Sequence, residues 1–296
     1  MTDSTPTFPS HRREVSRPAV EVPHGAWDTA AHVYGDPARF PFASGPKPFL
    51  PDPDSTMAEL MRIHATLGIE RGVLVQATSY GADHGLLREA LALGEGRYVG
   101  VAVLSDDVSD DTARELTAAG VVGCRINLPG WLNTPPTDEQ VLRRIERIRV
   151  LGWNVALHVD ATVLVERAAL LRSIDDVDVC IDHLGHFSAS IEEDHPAWDV
   201  LDDLLSKENW WIRLSNADRG SDESTAYLDM VPIIRRFAEM APGRSVWGTD
   251  WPHVFYKKDR MVDDGTLLDL LAEALDPATF HDVLVEAPRR LYRSAT

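Results

Sequence analysis

From Ala26 onward, short apolar runs alternate with longer stretches in which apolar residues recur every three or four positions. The runs predict strands at Ala26–Val33, Gly72–Ala77, Tyr98–Leu104, Val121–Asn127, Asn154–Val159, Val177–His183, Trp210–Ser215 and Arg244–Thr249. Between them, "DSTMAELMRIHATLG" places Met57, Leu60, Met61, His64 and Leu67 on one helical stripe, with Ser55 or Thr56 as N-cap and Gly68 as the stop. "TDEQVLRRIERIRVLG" repeats the plan with Val141, Leu142, Ile145, Ile148 and Leu151, opened by Thr137 and closed by Gly152. "PAWDVLDDLLSKE" and "DDGTLLDLLAEALD" do so again. Strands that alternate with helices over short connections pair in parallel, because each parallel neighbour is reached by a crossover. Eight such units predict an α/β protein with a single (β/α)8 TIM barrel over residues 26–296. An open doubly wound sheet is the competing architecture, and no glycine-rich phosphate loop follows the first strand to support it. Residues 1–25 are polar and proline-rich, and are read as an arm that is loose or wrapped on the surface.

Charge narrows the partners. With 29 Lys and Arg against 47 Asp and Glu the chain carries −18, which argues against nucleic acid and against anionic membrane. No apolar run approaches the ~18–20 residues of a spanning helix. The first 25 residues hold no hydrophobic segment of a secretory signal, so a cytoplasmic protein is expected. Cys124 and Cys180 each sit in an apolar run and are read as buried free thiols rather than a disulfide. A homo-oligomer remains open.

In a barrel of this class the chemistry lies at the carboxyl ends of the strands. Those ends carry His32, Gln76, Arg125 with Asn127, His158, His183, Arg213 with Ser215, and Asp250 with His253. The amino-terminal halves of the same strands are mostly Val, Ile, Leu and Ala. Singly, each polar residue has an ordinary reading: a hydrogen-bonded histidine, an arginine paired with a surface acid, an aspartate capping a helix. Together at matching ends they predict a cleft, because burying so many polar groups without a purpose is costly. Arg125 and Arg213 reserve positive charge inside an acidic chain, which predicts a small anionic substrate held through its carboxylates. Arg219 in "SNADRGSD" is a third contact or a solvated loop arginine, and "GWLN" and Trp251 are apolar walls or ordinary core. In "WDTAAHVYG", strict alternation puts Asp28, Ala30 and His32 on one face.

Four motifs, "DTAAHVYG", "IDHLGHF", "VWGTDWPHV" and "APRRLY", together resemble the amidohydrolase superfamily. Within it the chain is similar to the amidohydrolase-related branch that includes 2-pyrone-4,6-dicarboxylate lactonase, muconolactone hydrolases and galactarolactone isomerase. The resemblance covers the chain after the N-terminal arm, and implies a (β/α)8 barrel and hydrolysis at a carbonyl carbon. The superfamily's Asp-x-His-x-His motif falls on Asp28 to His32, with Ala30 where the first histidine stands; His158, His183 and Asp250 match the remaining positions. In metal-dependent members these positions hold a divalent ion. Here His32, His158 and Asp250 remain, three donors that can still hold zinc if geometry allows. The branch includes lactonases that look metal-independent, so no obligatory metal is expected. The implied reaction is hydrolysis of a carboxylated lactone. Asp250 would be general base on a water, His32 and His183 would polarise the carbonyl, and His158 would orient water or substrate. Arg125 and Arg213 would clamp carboxylates, with Asn127, Gln76, His253 and Arg219 as further substrate contacts. Without a metal, these histidines are expected to titrate near neutrality. The alternatives are a metal-dependent hydrolase or decarboxylase, a lactone isomerase, and a degenerate barrel that only binds.

Overall fold

Eight strands form where the apolar runs lie: β1 (Trp27–Ala31), β2 (Arg71–Val75), β3 (Tyr98–Ala102), β4 (Val121–Asn127), β5 (Asn154–His158), β6 (Val179–Ile181), β7 (Trp210–Leu214) and β8 (Ser245–Trp247). The structure is a computed structural model that describes residues 10–43, 54–131 and 134–293. All neighbouring strands pair in parallel, in the order β1 to β8. Closure comes from the residues just past β8. Asp250 N donates to Ala30 O and His32 N to Trp251 O, each at 2.7 Å. Gly248 permits this approach, since a Cβ there would come within 2.6 Å of Ala30 N.

Period-two alternation divides the strand residues between two layers. Val73, Val75, Val101 and Val246 point inward with Trp27 and Trp211 and fill the lower barrel. Leu74, Val155, Val179, Ile181 and Ile212 point outward into the layer shared with the helices. The helices start and stop where their caps predict. Thr56 caps Met57–Leu67, which ends at a left-handed Gly68, and Thr137 and Gln140 form a capping box on Asp138–Leu151 before Gly152. Their stripes differ in detail. Ile63 is buried while Met61 is only half-buried, and Leu142 is exposed. No helix among the described residues is long and apolar enough to cross a membrane. Cys124 and Cys180 are free and buried, and burial pushes both thiols up to about 12. Of the N-terminal segment, residues 10–25 run along the surface, with Ser16 N donating to Asp263 (2.9 Å) and Val20 N to Asp269 (3.0 Å).

Three strands depart from the simple pattern, and each departure shapes the mouth. In β1 the pairing slips by one residue between Asp28 and Ala31, so Asp28 and His32 do not share a face as strict alternation requires. Asp28 lies outside the barrel wall. Its carboxylate accepts from Ala30 N (3.0 Å), Thr249 N (3.0 Å), Thr249 Oγ1 (2.5 Å) and His64 Nε2 (3.1 Å). β6 and β8 stop early, at Ile181 and Trp247, and give way to left-handed backbone at His183, Leu184 and His186, and at Asp250 and His253.

Candidate active site

A cavity opens at the carboxyl ends of the strands, where His32, Arg125, His158, His183, Arg219 and Asp250 meet. Its remaining lining includes Tyr34, Trp131, His186 and Asn216. His183, His186, Asn216 and Asp250 all have φ between 55° and 61°. A non-glycine residue there costs about 1–3 kcal/mol, so four at one site are held by their surroundings for the direction they give the side chain. His183 shows the effect. Cys180 points inward and Ile181 outward, so continued alternation would aim residue 183 away from the mouth. The positive φ turns it in.

Asp250 occupies the centre. Its Oδ1 lies 3.2 Å from His32 Nε2 and 3.7 Å from His183 Nε2, while Oδ2 accepts from Asn216 Nδ2 (3.0 Å) and Arg219 Nη2 (3.3 Å). Burial would raise this carboxyl, but His183, His32 and Arg219 outweigh it and hold the group well below the ordinary range. His32 Nδ1 donates to Val75 O at 2.6 Å. Its Nε2 therefore faces Asp250 with one proton between the two. His183 Nε2 accepts from Arg125 Nη2 (3.4 Å), which leaves Nδ1–H to donate to Ser215 Oγ (2.9 Å). His158 Nδ1 donates to Asn127 Oδ1 (3.1 Å), and its Nε2 meets His186 Nε2 at 2.6 Å, so these two imidazoles also share a proton.

Of the histidines expected to titrate near neutrality, His158 and His183 do not. Burial lowers His183 to about 3 and His186 to about 4, and takes His158 well below its ordinary value. The opposing attraction of Asp250 is too small to restore them.

Several predicted contacts lie elsewhere. Arg213 has no exposed surface and does not line the cavity. It forms an ion pair with Asp182 and donates to Tyr292 Oη (2.6 Å) and Thr29 Oγ1 (3.1 Å), one layer below the mouth, so it cannot clamp a substrate carboxylate. Gln76 spends its amide on Gly81 O, Asp83 O and Val103 N, fastening the loop after β2. His253 is buried against Asp264 (2.9 Å); burial would lower its pKa, but Asp264 raises it. Asn127 reaches the site only through His158. Trp251 is core, with the edge of His11 against it at 4.8 Å. In "GWLN", Trp131 lines the mouth, and Leu132 and Asn133 lie outside the described residues. Ala30 does not line the cavity; its methyl would sit 2.9 Å from a Cβ on Gly248.

Four residues went unread in the sequence. Asp182 bridges Arg213 and Arg125 (Nε to Oδ2, 3.5 Å); burial would raise it, but the two guanidiniums hold it low. The "DHLGH" motif carries it, and also His186, whose position past the strand no periodicity fixes. Asn216 and Tyr34 likewise follow strand ends.

The donor set does not fit a resident zinc ion as it stands. His158 Nε2 is turned to His186, away from a position shared with His32 and Asp250. Among the described residues no three His, Cys, Asp or Glu side chains converge as ligands.

Comparisons with known proteins agree with this architecture. The amidohydrolase family model matches residues 27–294. The chain is 33% identical to a 4-sulfomuconolactone hydrolase of Rhizobium radiobacter, over 92% of this chain and 91% of that protein. It is 33% identical to a 2-pyrone-4,6-dicarboxylate hydrolase of Comamonas testosteroni (98% and 97% covered) and to a D-galactarolactone isomerase of Agrobacterium fabrum (93% and 94%). A crystal structure from Agrobacterium tumefaciens, solved in the apo form, superposes with a TM-score of 0.85 at 29% identity, covering 95% of this chain and 98% of that one.

Proposed function

The chain belongs to the amidohydrolase family, and from that premise we propose that it hydrolyses the ring ester of a small carboxylated lactone, with Asp250 as general base. The observation that carries this reading is the setting of Asp250. An ionised carboxylate stands between a histidine with a shared proton (His32) and a histidine whose Nε2 is held by Arg125 (His183), beneath two arginines. Water placed there donates a hydrogen to Asp250 Oδ1, which aims its oxygen at the lactone carbonyl carbon. As it attacks, its proton passes to Asp250, and the proton on His32 Nε2 stabilises the oxyanion. Collapse breaks the bond to the ring oxygen, which takes the proton back from Asp250. The product is the ring-opened acid. Arg125 and Arg219 line the cavity and supply the charge for the ring carboxylate. No step requires a metal.

A screen of carboxylated five- and six-membered lactones, followed by NMR, tests the proposal and separates ring opening from ring migration. Asp250→Asn keeps the shape but cannot accept the proton, and should lower turnover by roughly 10²–10⁴ with little change in ground-state binding. A variant that keeps most of its turnover would remove Asp250 as the base.

A further inference from the structure

Outside the catalytic cavity a second cavity opens at the mouth, and the two share Trp131, His186, Arg219 and Phe255. The outer cavity adds Tyr256, Lys257 and Lys258. The chain has only four lysines in 296 residues, Lys47, Lys207, Lys257 and Lys258, so finding two of them side by side at this rim is a local concentration of positive charge. The two differ in what they do. Lys258 is committed to the scaffold: its Nζ donates to Ser221 O and Glu223 O, each at 2.8 Å, and lies over the Tyr227 ring. Lys257 is exposed and makes no hydrogen bond or ion pair among the described residues. The apolar part of the wall is Trp131, which is 57% exposed and is fixed by its indole N–H to Asp160 (3.4 Å) and by edge contacts to His158 and His186.

We propose that Lys257 is a second anion subsite, and that the substrate is a lactone whose side arm leaves the catalytic cavity past Trp131 and ends in a carboxylate or sulfonate at Lys257. The ring end of this inference rests on the lactonase reading above; the arm does not. An ammonium is a compact charge that suits an anion at a wet rim, whereas the arginines deeper in the site suit a planar carboxylate. In a chain of −18, a cation left free of acidic partners at the mouth also offsets the repulsion that an incoming anion meets. Arg219, shared by both cavities and bonded to Asp250 and Val254 O, stands where the arm would cross from one to the other.

The test uses two γ-lactones with the same ring carboxylate and a three-carbon arm, one ending in a carboxylate and the other in a carboxamide, together with their non-hydrolysable lactam analogues. The wild-type protein should prefer the carboxylate-ended lactone by about tenfold in kcat/KM, and the preference should shrink as salt rises and screens the rim. In Lys257→Met the ratio of the two kcat/KM values should fall to about one, and Lys257→Arg should restore most of it. Calorimetry of the two lactams reads the same preference without turnover. A wild-type protein that does not distinguish the two arm ends, or a Lys257→Met variant that still does, would show that Lys257 is only a solvated rim lysine. If the lactams bind with the expected preference and neither lactone is opened, the subsite stands and the hydrolase reading falls.

Discussion

Arg125 and Arg213 look alike in the sequence, each a lone guanidinium two residues before the end of its predicted strand, yet they have different tasks. Arg125 borders the cavity and shares Asp182 with Arg213, which is sealed below. The two substitutions should therefore separate. Arg125→Met is expected to weaken binding of a carboxylated lactone by about 1.5–3 kcal/mol, the worth of a charge-assisted hydrogen bond. Arg213→Met strips Asp182 of its main partner and should cost about 3–5 kcal/mol of stability, visible as a lower urea midpoint, because it leaves a buried charge uncompensated. Equal effects of both variants on KM, with no loss of stability in Arg213→Met, would put Arg213 back in the mouth.

At the scale of elements, β1 and the segment after β8 form one device. The slipped pairing in β1 frees Asp28 from the inner face and turns it outward, where it accepts from both the N–H and the hydroxyl of Thr249. Thr249 immediately precedes Asp250, so Asp28 fixes the strand end that carries Asp250. His64 completes the arrangement from its helix: Nε2 donates to Asp28 while Nδ1 accepts from Tyr98 Oη at 2.9 Å. Asp28→Ala should cost about 1–3 kcal/mol for each buried donor left without a partner. It should also lower kcat more than it raises KM, since Arg125 and Arg219, which line the cavity, stay in place. Denaturation and steady-state kinetics on the same preparation check both. Unchanged kcat with lost stability would leave Asp28 a scaffold residue only.

For the whole molecule, the buried histidines tie stability to pH. An unfolded chain binds protons on histidine near 6.5. Folded His183 and His186 refuse them until about 3 and about 4. Stability is thus full above about pH 6.5 and is lost as pH falls toward 4, at up to about 1.4 kcal/mol per pH unit for each histidine. His253, raised by Asp264, works in the opposite sense and loses its contribution as pH rises through its folded value. Urea midpoints at pH 7 and pH 5 should show the drop, and His186→Asn should flatten it; equal midpoints in the wild-type protein would contradict it. Activity should stay level down to about pH 5, since His158, His183 and His186 stay neutral over that range. Purified protein should also keep its activity through chelation. Stoichiometric zinc, with activity lost on its removal, would overturn the metal-free reading.

The repeating pattern of strand and helix determined the barrel by itself. Eight apolar runs and capped amphipathic stretches such as Thr137–Gly152 leave few other ways to bury their faces, and β4 formed with the predicted bounds. The same pattern placed His32, Arg125, His158 and Asp250 at one end, because the carboxyl ends of parallel strands meet by construction. Depth and direction were not legible. Arg213 and Gln76 sit on the right strands but one layer down or facing a loop, since a linear pattern gives the face of a residue and not the level at which the barrel fills. His183 was placed by its position at a strand end, where alternation from Cys180 points it away; a left-handed backbone at that residue brings it in. His186 and Asn216 follow strand ends where no period applies, and only the folded loops bring them to Asp250 and His158. The single slipped residue in β1, invisible in "WDTAAHVYG", decided that Asp28 and His32 lie on opposite sides of the wall, because in a strand one extra residue reverses every face that follows.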